Sequence, residues 1–119
     1  MKCGASLGNM WLFTNIGFFS VVQKSQTNFL TIRARVASDL DTLRQKYLPG
    51  LSPTTTKGGT DYPYRATISH AEVAAGVAKL GEAINYSNFK NEVAKRMGSG
   101  RAHTYSKVWQ DLVELESEG

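Results

Sequence analysis

Hydrophobic and polar residues alternate along the first half of the chain and recur at helical spacing along most of the second half. The clearest alternation, at residues 29–35, predicts a strand with two chemically different faces. One face carries Leu30, Ile32 and Ala34, and the other carries Phe29, Thr31, Arg33 and Arg35.

Other segments of the first half are also typical of strands. Residues 11–14 and 18–23 are β-branched and aromatic, and predict either a tight hairpin turning at residues 15–17 or one long bulged strand. Residues 62–69 predict a further strand, with Pro63 near its beginning. Its residues Tyr64, Ala66 and Ile68 point to one side, and Arg65 and Thr67 to the other.

Four helices are predicted. The first spans residues 38–48, with Ser38 as its N-cap, and a polar loop follows at residues 50–60. Ser69 and Glu72 match a capping box, so the second helix begins there. Its predicted buried residues are Val73, Val77, Leu80 and Ile84. Ser87 is the predicted cap of the third helix, and Tyr105 and Trp109 are the predicted core residues of the last.

This order of elements predicts an α+β fold. We expect an antiparallel sheet of three or four strands with helices packed on one face and a helical C-terminal half, in a ferredoxin-like or split βαβ arrangement. Parallel placement of strands 29–35 and 62–69 would require the intervening helix as a right-handed crossover. The predicted organisation is a disordered leader at residues 1–9, one domain at 10–115 and a frayed acidic tail at 116–119.

Composition limits the compartment and the cofactor chemistry. The single cysteine, Cys3, excludes an internal disulfide and fits a reducing cytoplasm. No apolar run reaches the roughly 18 residues of a membrane span, and the apolar segment 10–22 lacks the charged beginning of a secretory signal. One cysteine and two distant histidines offer no metal-ligand spacing, so we predict neither a metal nor a cofactor.

Charge is distributed unevenly. Residues 1–60 hold seven Lys or Arg against two acids, which gives +5, whereas residues 61–119 hold seven against eight, which gives −1. A basic strand-rich half indicates an anionic partner, or else a charge that only keeps the protein soluble.

The polar face of the predicted sheet is the main candidate for binding. Arg33, Arg35 and Arg65 lie on it with Phe29, and Tyr62 is adjacent in sequence. Arginines beside aromatic rings suit stacking on bases and pairing with phosphates, which predicts nucleic acid or another polyanion as the partner. We also expect the protein to form a homodimer, and the same face could instead be buried between its two copies or hold a small ligand.

An acid/base site is the enzymatic alternative. His70, at the start of a helix, is near Asp61, Tyr62 and Arg65 in sequence, which would supply a general acid or base and an oxyanion-binding arginine. A second candidate group is His103 with Arg101, Tyr105 and Lys107. Lone histidines without a spacing pattern are more often ordinary residues at helix ends, so the sequence favours a binding module over an enzyme.

Several segments together resemble a family of small uncharacterised bacterial proteins. These are MWLFTNIGFFSVV from Met10, RAR from Arg33, GTDYPYR from Gly59 and YSNFK from Tyr86. The resemblance covers Met10 to about Leu115 and implies that the first nine residues are an extension. The family has no known activity, so the resemblance implies no catalytic residue. Short proteins of this kind are typical cargo of mobile gene cassettes.

Overall fold

A computed structural model describes residues 10–24 and 27–118 of the chain, so the predicted leader at residues 1–9 lies outside the described part. The strands are β1 (Met10–Thr14), β2 (Gly17–Val22), β3 (Phe29–Ala34), β4 (Thr55–Thr56) and β5 (Tyr64–Ser69). The helices are α1 (Ala37–Lys46), α2 (His70–Glu82), α3 (Phe89–Met97) and α4 (Ser99–Leu112), followed by a 3-10 helix at Val113–Ser117.

The strands form a five-stranded antiparallel sheet in the order β1-β2-β3-β5-β4. The α+β class and the helical C-terminal half are therefore confirmed, and residues 10–22 form the hairpin rather than one bulged strand. The expectation of three or four strands was wrong because Thr55 and Thr56 pair with β5 inside the predicted loop. A two-residue strand is too short for alternation to reveal it.

The central pair of strands, β3 and β5, is antiparallel. Leu30 lies opposite Ile68 and Ala34 opposite Tyr64. The parallel pairing considered for a split βαβ arrangement is therefore absent, and α1 does not serve as a parallel crossover. Instead, the chain returns through α1 and the short β4 before it enters β5 in the reverse direction.

The two faces of the sheet separate as the alternation predicts. The buried residues of the core face include Phe19, Val21, Leu30, Ile32, Ala34, Ala66 and Ile68. Both α1 and α2 pack on this face, where a small cavity is lined by Val21 and Ile32 of the sheet together with Leu43 and Val73 of the helices. Burial of these aliphatic side chains is the main stabilising term for this part of the chain.

Two details of α1 and α2 differ from the expectation. Ser38 does not cap α1: Val36 occupies that position without a side-chain hydrogen bond, and α1 begins at Ala37. The capping box of α2 is confirmed, since the Glu72 N–H donates to Ser69 Oγ over 3.2 Å. The predicted buried stripe of α2 is incomplete, because Val73 is buried but Ile84 is exposed.

Contacts between Cα positions divide the chain into two compact units. Of the described residues, the first comprises 10–13, 17–24 and 27–84, and the second comprises 14–16 and 85–118. Within the second unit, Asn88 rather than the predicted Ser87 caps α3 by accepting from the Asn91 N–H over 2.9 Å.

Aromatic stacking organises the second unit. The Phe89 and Tyr105 rings stack with centroids 5.9 Å apart, and Tyr105 is buried as predicted. Trp109, the other predicted core residue, is exposed instead. Residues 109–112 at the end of α4 are all exposed, and a helical spacing alone does not show where packing stops. Within residues 10–24 and 27–118, no helix combines the length and the apolar character required to cross a membrane.

Candidate functional site

The Tyr62 ring is the centre of the face opposite the helices. It is buried although its residue lies in a loop, just before β5. The Arg33 guanidinium carbon lies 4.5 Å from the ring centroid, and that of Arg35 lies 4.9 Å from it. Both distances are within the range of a cation–π interaction. Because Arg33 and Arg35 are two residues apart, they project on the same side of the chain and share one ring.

Arg33 is held from two sides. Its Nη2 donates to Ser20 Oγ over 2.8 Å, and Ser20 is its neighbour in the register between β2 and β3. Its Nε is buried and has no hydrogen-bond partner within the described residues. Burial lowers the pKa of Arg33; nearby Tyr62 opposes this shift, and the charge of Arg65 adds to it. The charged form of Arg33 is therefore less favourable in the folded protein than in water.

Arg65 places a second cation directly opposite Arg33, on the neighbouring strand β5. The register between β3 and β5 pairs it with Arg33. Its Nε donates to the Tyr62 carbonyl over 3.1 Å, which holds the side chain near the ring. Like charges directly opposite each other on neighbouring strands are destabilising, so this pairing costs stability that another interaction must offset.

Lys24 completes the group. Burial lowers its pKa, and the charges of Arg65, Arg33 and Lys57 lower it further, in that order. We call Lys24, Arg33, Arg35 and Arg65 the basic cluster. Within the described residues the ion pairs are Arg44–Asp41 and Arg96–Glu92, and neither involves a member of the cluster. Asp61 raises the pKa of Arg33, but it is the last of the contributions to that shift.

Aromatic rings continue the surface from Tyr62 to the sheet edge. Phe18 contacts Tyr62 at 6.4 Å between centroids and stacks on Phe13 at 4.5 Å. Trp11 meets the Phe18 ring edge-to-face at 5.8 Å and is 58% exposed. Phe29 lies on the same face of β3 as Arg33 and is 54% exposed. We call the basic cluster together with these rings the basic aromatic face.

The structure thus brings together most of the residues that alternation had placed on one face. Arg33, Arg35, Arg65 and Tyr62 form one continuous group. Phe29 belongs to the same face but lies at the far end of β3, opposite Ser69. Lys24 was missed, although the alternation of Ser20 and Val22 extends to it and would have placed it there.

His70 is not part of this group. It is exposed, begins α2, and its N–H donates to the Asn28 carbonyl beside Phe29. The length of β5 separates it from Asp61 and Tyr62: Arg65 and His70 are five residues apart on an extended chain, or about 17 Å at the usual rise per residue. His70, Asp61 and Arg65 therefore do not converge on one reacting atom.

The second histidine group also fails to converge. Arg101 lies over the Tyr105 ring at 5.9 Å, and Tyr105 donates its hydroxyl to the Thr14 carbonyl, so both have structural contacts. His103 is exposed, and residues two apart on a helix do not face each other. Among residues 10–24 and 27–118, no cluster of three His, Cys, Asp or Glu side chains could hold a metal ion.

Comparison with known proteins adds no assignment. The chain matches no model of a protein family, no curated protein and no solved structure. The basic aromatic face is therefore the feature of the protein that points to a function.

Proposed function

We propose that this protein binds single-stranded nucleic acid through the basic aromatic face. One observation carries the proposal: four cations are gathered on one sheet face without a carboxylate paired to any of them in the described residues. Like charges that lower one another's pKa reduce the stability of the empty face, and an anionic ligand relieves that repulsion.

The identity of the cations favours phosphate. Arginine presents a planar fork that suits phosphate oxygens, and three of the four members of the cluster are arginines. Tyr62 and Ser20 hold the Arg33 guanidinium in place before any ligand arrives. Such preorganisation reduces the entropy that is lost on binding.

The rings distinguish a nucleic acid from a simple phosphate or a polyanion without bases. Exposed Trp11 and Phe29 lie on the same face as the arginines. A single strand can stack its bases on such rings while its backbone follows the cations, and each stacked base contributes about 1–3 kcal/mol. A cytoplasmic location accompanies the proposal, since Cys3 fits a reducing compartment.

The experiment is a fluorescence-anisotropy titration of labelled 20-nucleotide RNA and single-stranded DNA between low and moderate salt. We expect affinity to fall with salt, and Arg35→Gln to reduce the slope of log K against log[salt] by about 0.7. The matched control is Lys46→Gln, which also removes one exposed cation, from the last turn of α1. It should leave the slope of log K against log[salt] almost the same as in the parent protein.

A second arm tests stacking. Trp11→Leu should weaken binding of an oligonucleotide by about fivefold or more, but it should not change binding of heparin, which has charge and no bases. The proposal fails if neither nucleic acid binds at any salt concentration. It also fails if Arg35→Gln and Lys46→Gln are indistinguishable. Equal loss of heparin and oligonucleotide binding in Trp11→Leu would leave a general polyanion site and exclude base stacking.

A homodimer that buries the face against its own symmetry mate is the competing proposal, and exposed Trp11 and Phe29 favour it. However, a two-fold axis through this face would bring two basic clusters together. Sedimentation equilibrium decides between them: two apposed basic clusters repel more strongly at low salt, so a dimer that becomes weaker at low salt and is weakened by Trp11→Leu but not by Trp109→Ala would support a face-to-face dimer.

A further inference from the structure

The end of α4 and the 3-10 helix that follows it expose apolar side chains that an isolated chain would bury. Trp109 is 67% exposed, Leu112 52% and Leu115 54%. Trp109 and Leu112 are three residues apart, so they lie on the same side of the helix. The sequence predicted a core position for Trp109, and since no residue in the described part of the chain buries it, we expect a partner to cover it.

The same segment is strongly acidic. Asp111, Glu114, Glu116 and Glu118 are four of the ten acids in the chain, and no lysine or arginine follows Lys107. All four acids are exposed, and none forms an ion pair within the part of the chain that the structure describes. We call residues 109–118 the acidic apolar segment.

We infer that the acidic apolar segment of one copy binds the basic aromatic face of a second copy. The two surfaces match in kind: four acids meet four unpaired cations, and Trp109 and Leu112 meet the exposed Trp11. Opposite charges select this pairing, whereas two basic clusters or two acidic segments would repel. The partner is therefore a second copy of this chain.

This self-association rests on the proposed function only in that both ligands use the same face. An acidic segment on that face competes with nucleic acid, so self-association and nucleic-acid binding exclude each other at each face. Assembly would then be favoured where nucleic acid is scarce and would dissolve when it is supplied.

The experiment is sedimentation velocity of the full chain over a range of protein concentrations at low and high salt. We expect concentration-dependent self-association at low salt that weakens as salt rises. The variant Asp111→Asn with Glu114→Gln, Glu116→Gln and Glu118→Gln should raise the dissociation constant of self-association about tenfold, since single exposed ion pairs contribute little but four act together. Its affinity for an oligonucleotide should rise, because the competitor is weakened.

Matched apolar variants make the test independent of charge. Trp109→Ala should raise the dissociation constant by about tenfold or more, as aromatic anchors dominate interfaces. The control Ile84→Ala removes a comparably exposed apolar side chain just beyond α2 and should change nothing. Circular dichroism verifies that each variant is folded.

Two results would overturn the inference: a monomer at all concentrations and salts, or self-association that the fourfold acid variant and Trp109→Ala leave unchanged. Association with a different basic protein, without self-association, also overturns it. The outcomes are separable from those of the proposed function. A chain that self-associates through these residues but binds no oligonucleotide supports this inference and refutes the nucleic-acid proposal, and a monomer that binds oligonucleotide does the reverse.

Discussion

Tyr62 should hold the arginines of the basic aromatic face in place through its ring and not through its hydroxyl. The side chain is buried, and the guanidinium carbons of Arg33 and Arg35 lie 4.5 and 4.9 Å from its centroid. We therefore predict that Tyr62→Phe leaves the free energy of unfolding of the first unit almost unchanged and that Tyr62→Leu lowers it. Phenylalanine retains the electron-rich ring face, and leucine does not.

The expected loss follows from the surroundings of each arginine. Arg33 is half-buried, so its contact with the ring should contribute about 1 kcal/mol, and exposed Arg35 should contribute about 0.5 kcal/mol. Tyr62→Leu should then lower the free energy of unfolding by about 1.5 kcal/mol from these contacts, and the volume lost when leucine replaces the buried ring adds a cavity cost to it.

A double-mutant cycle separates the two costs. Combining Tyr62→Leu with Arg33→Met should give a coupling energy of about 1 kcal/mol, whereas Tyr62→Phe with Arg33→Met should give about 0.2 kcal/mol or less relative to the parent pair. Urea unfolding in a Trp109→Phe background is the assay, because Trp11 is then the only tryptophan and reports on the first unit. At a slope of about 2 kcal/mol/M, the loss of 1.5 kcal/mol moves the midpoint by about 0.8 M.

The reasoning is refuted if the coupling between Tyr62→Leu and Arg33→Met is zero within error. Equal midpoints for Tyr62→Phe and Tyr62→Leu would point the same way. In either case the ring would contribute only its volume to the packing under the arginines. It would then not preorganise them for binding nucleic acid.

Three further changes test the rest of the fold. Gly17→Ala would place a Cβ 2.6 Å from Asp39 Cγ at a φ of 153°, and should lower the free energy of unfolding by about 1–3 kcal/mol; an unchanged melting temperature would contradict this. Arg44→Met removes the Nε donor to the Leu51 carbonyl at 3.1 Å and should destabilise the fold by about 1.5–3 kcal/mol, with faster amide exchange in the loop before β4; unchanged exchange would contradict it. Hydrogen bonds from Arg96 and then Asn15 lower the pKa of Glu92 in the folded protein. The stability that Glu92 contributes is therefore present above its ordinary pKa of 4.5 and is lost as pH falls through the lower folded pKa. Glu92→Gln should reduce the difference in the free energy of unfolding between urea titrations at pH 7 and at pH 3.

Local patterns identified the strands and their faces well because alternation is a property of the extended chain itself. Residues 29–35 have a side for the helices and a side for solvent whatever strand lies next to them. The capping box at Ser69 was equally local, since its partner is three residues away. Sequence patterns failed to locate a helix start where neighbouring residues could also serve as the N-cap. Ser38 and Ser87 were the predicted N-caps, but Val36 and Asn88 occupy those positions.

The sequence by itself determined that Arg33, Arg35 and Arg65 would lie on the face away from the aliphatic core, because a period of two fixes each side chain to one side of its strand. Only the tertiary structure decided that they form one cluster. The antiparallel register sets Arg33 opposite Arg65, and the loop before β5 brings Tyr62 under two guanidinium groups. The tertiary structure also separates His70 from Asp61 by the length of β5. Register and loop path depend on contacts between residues distant in the chain, and no local pattern encodes them.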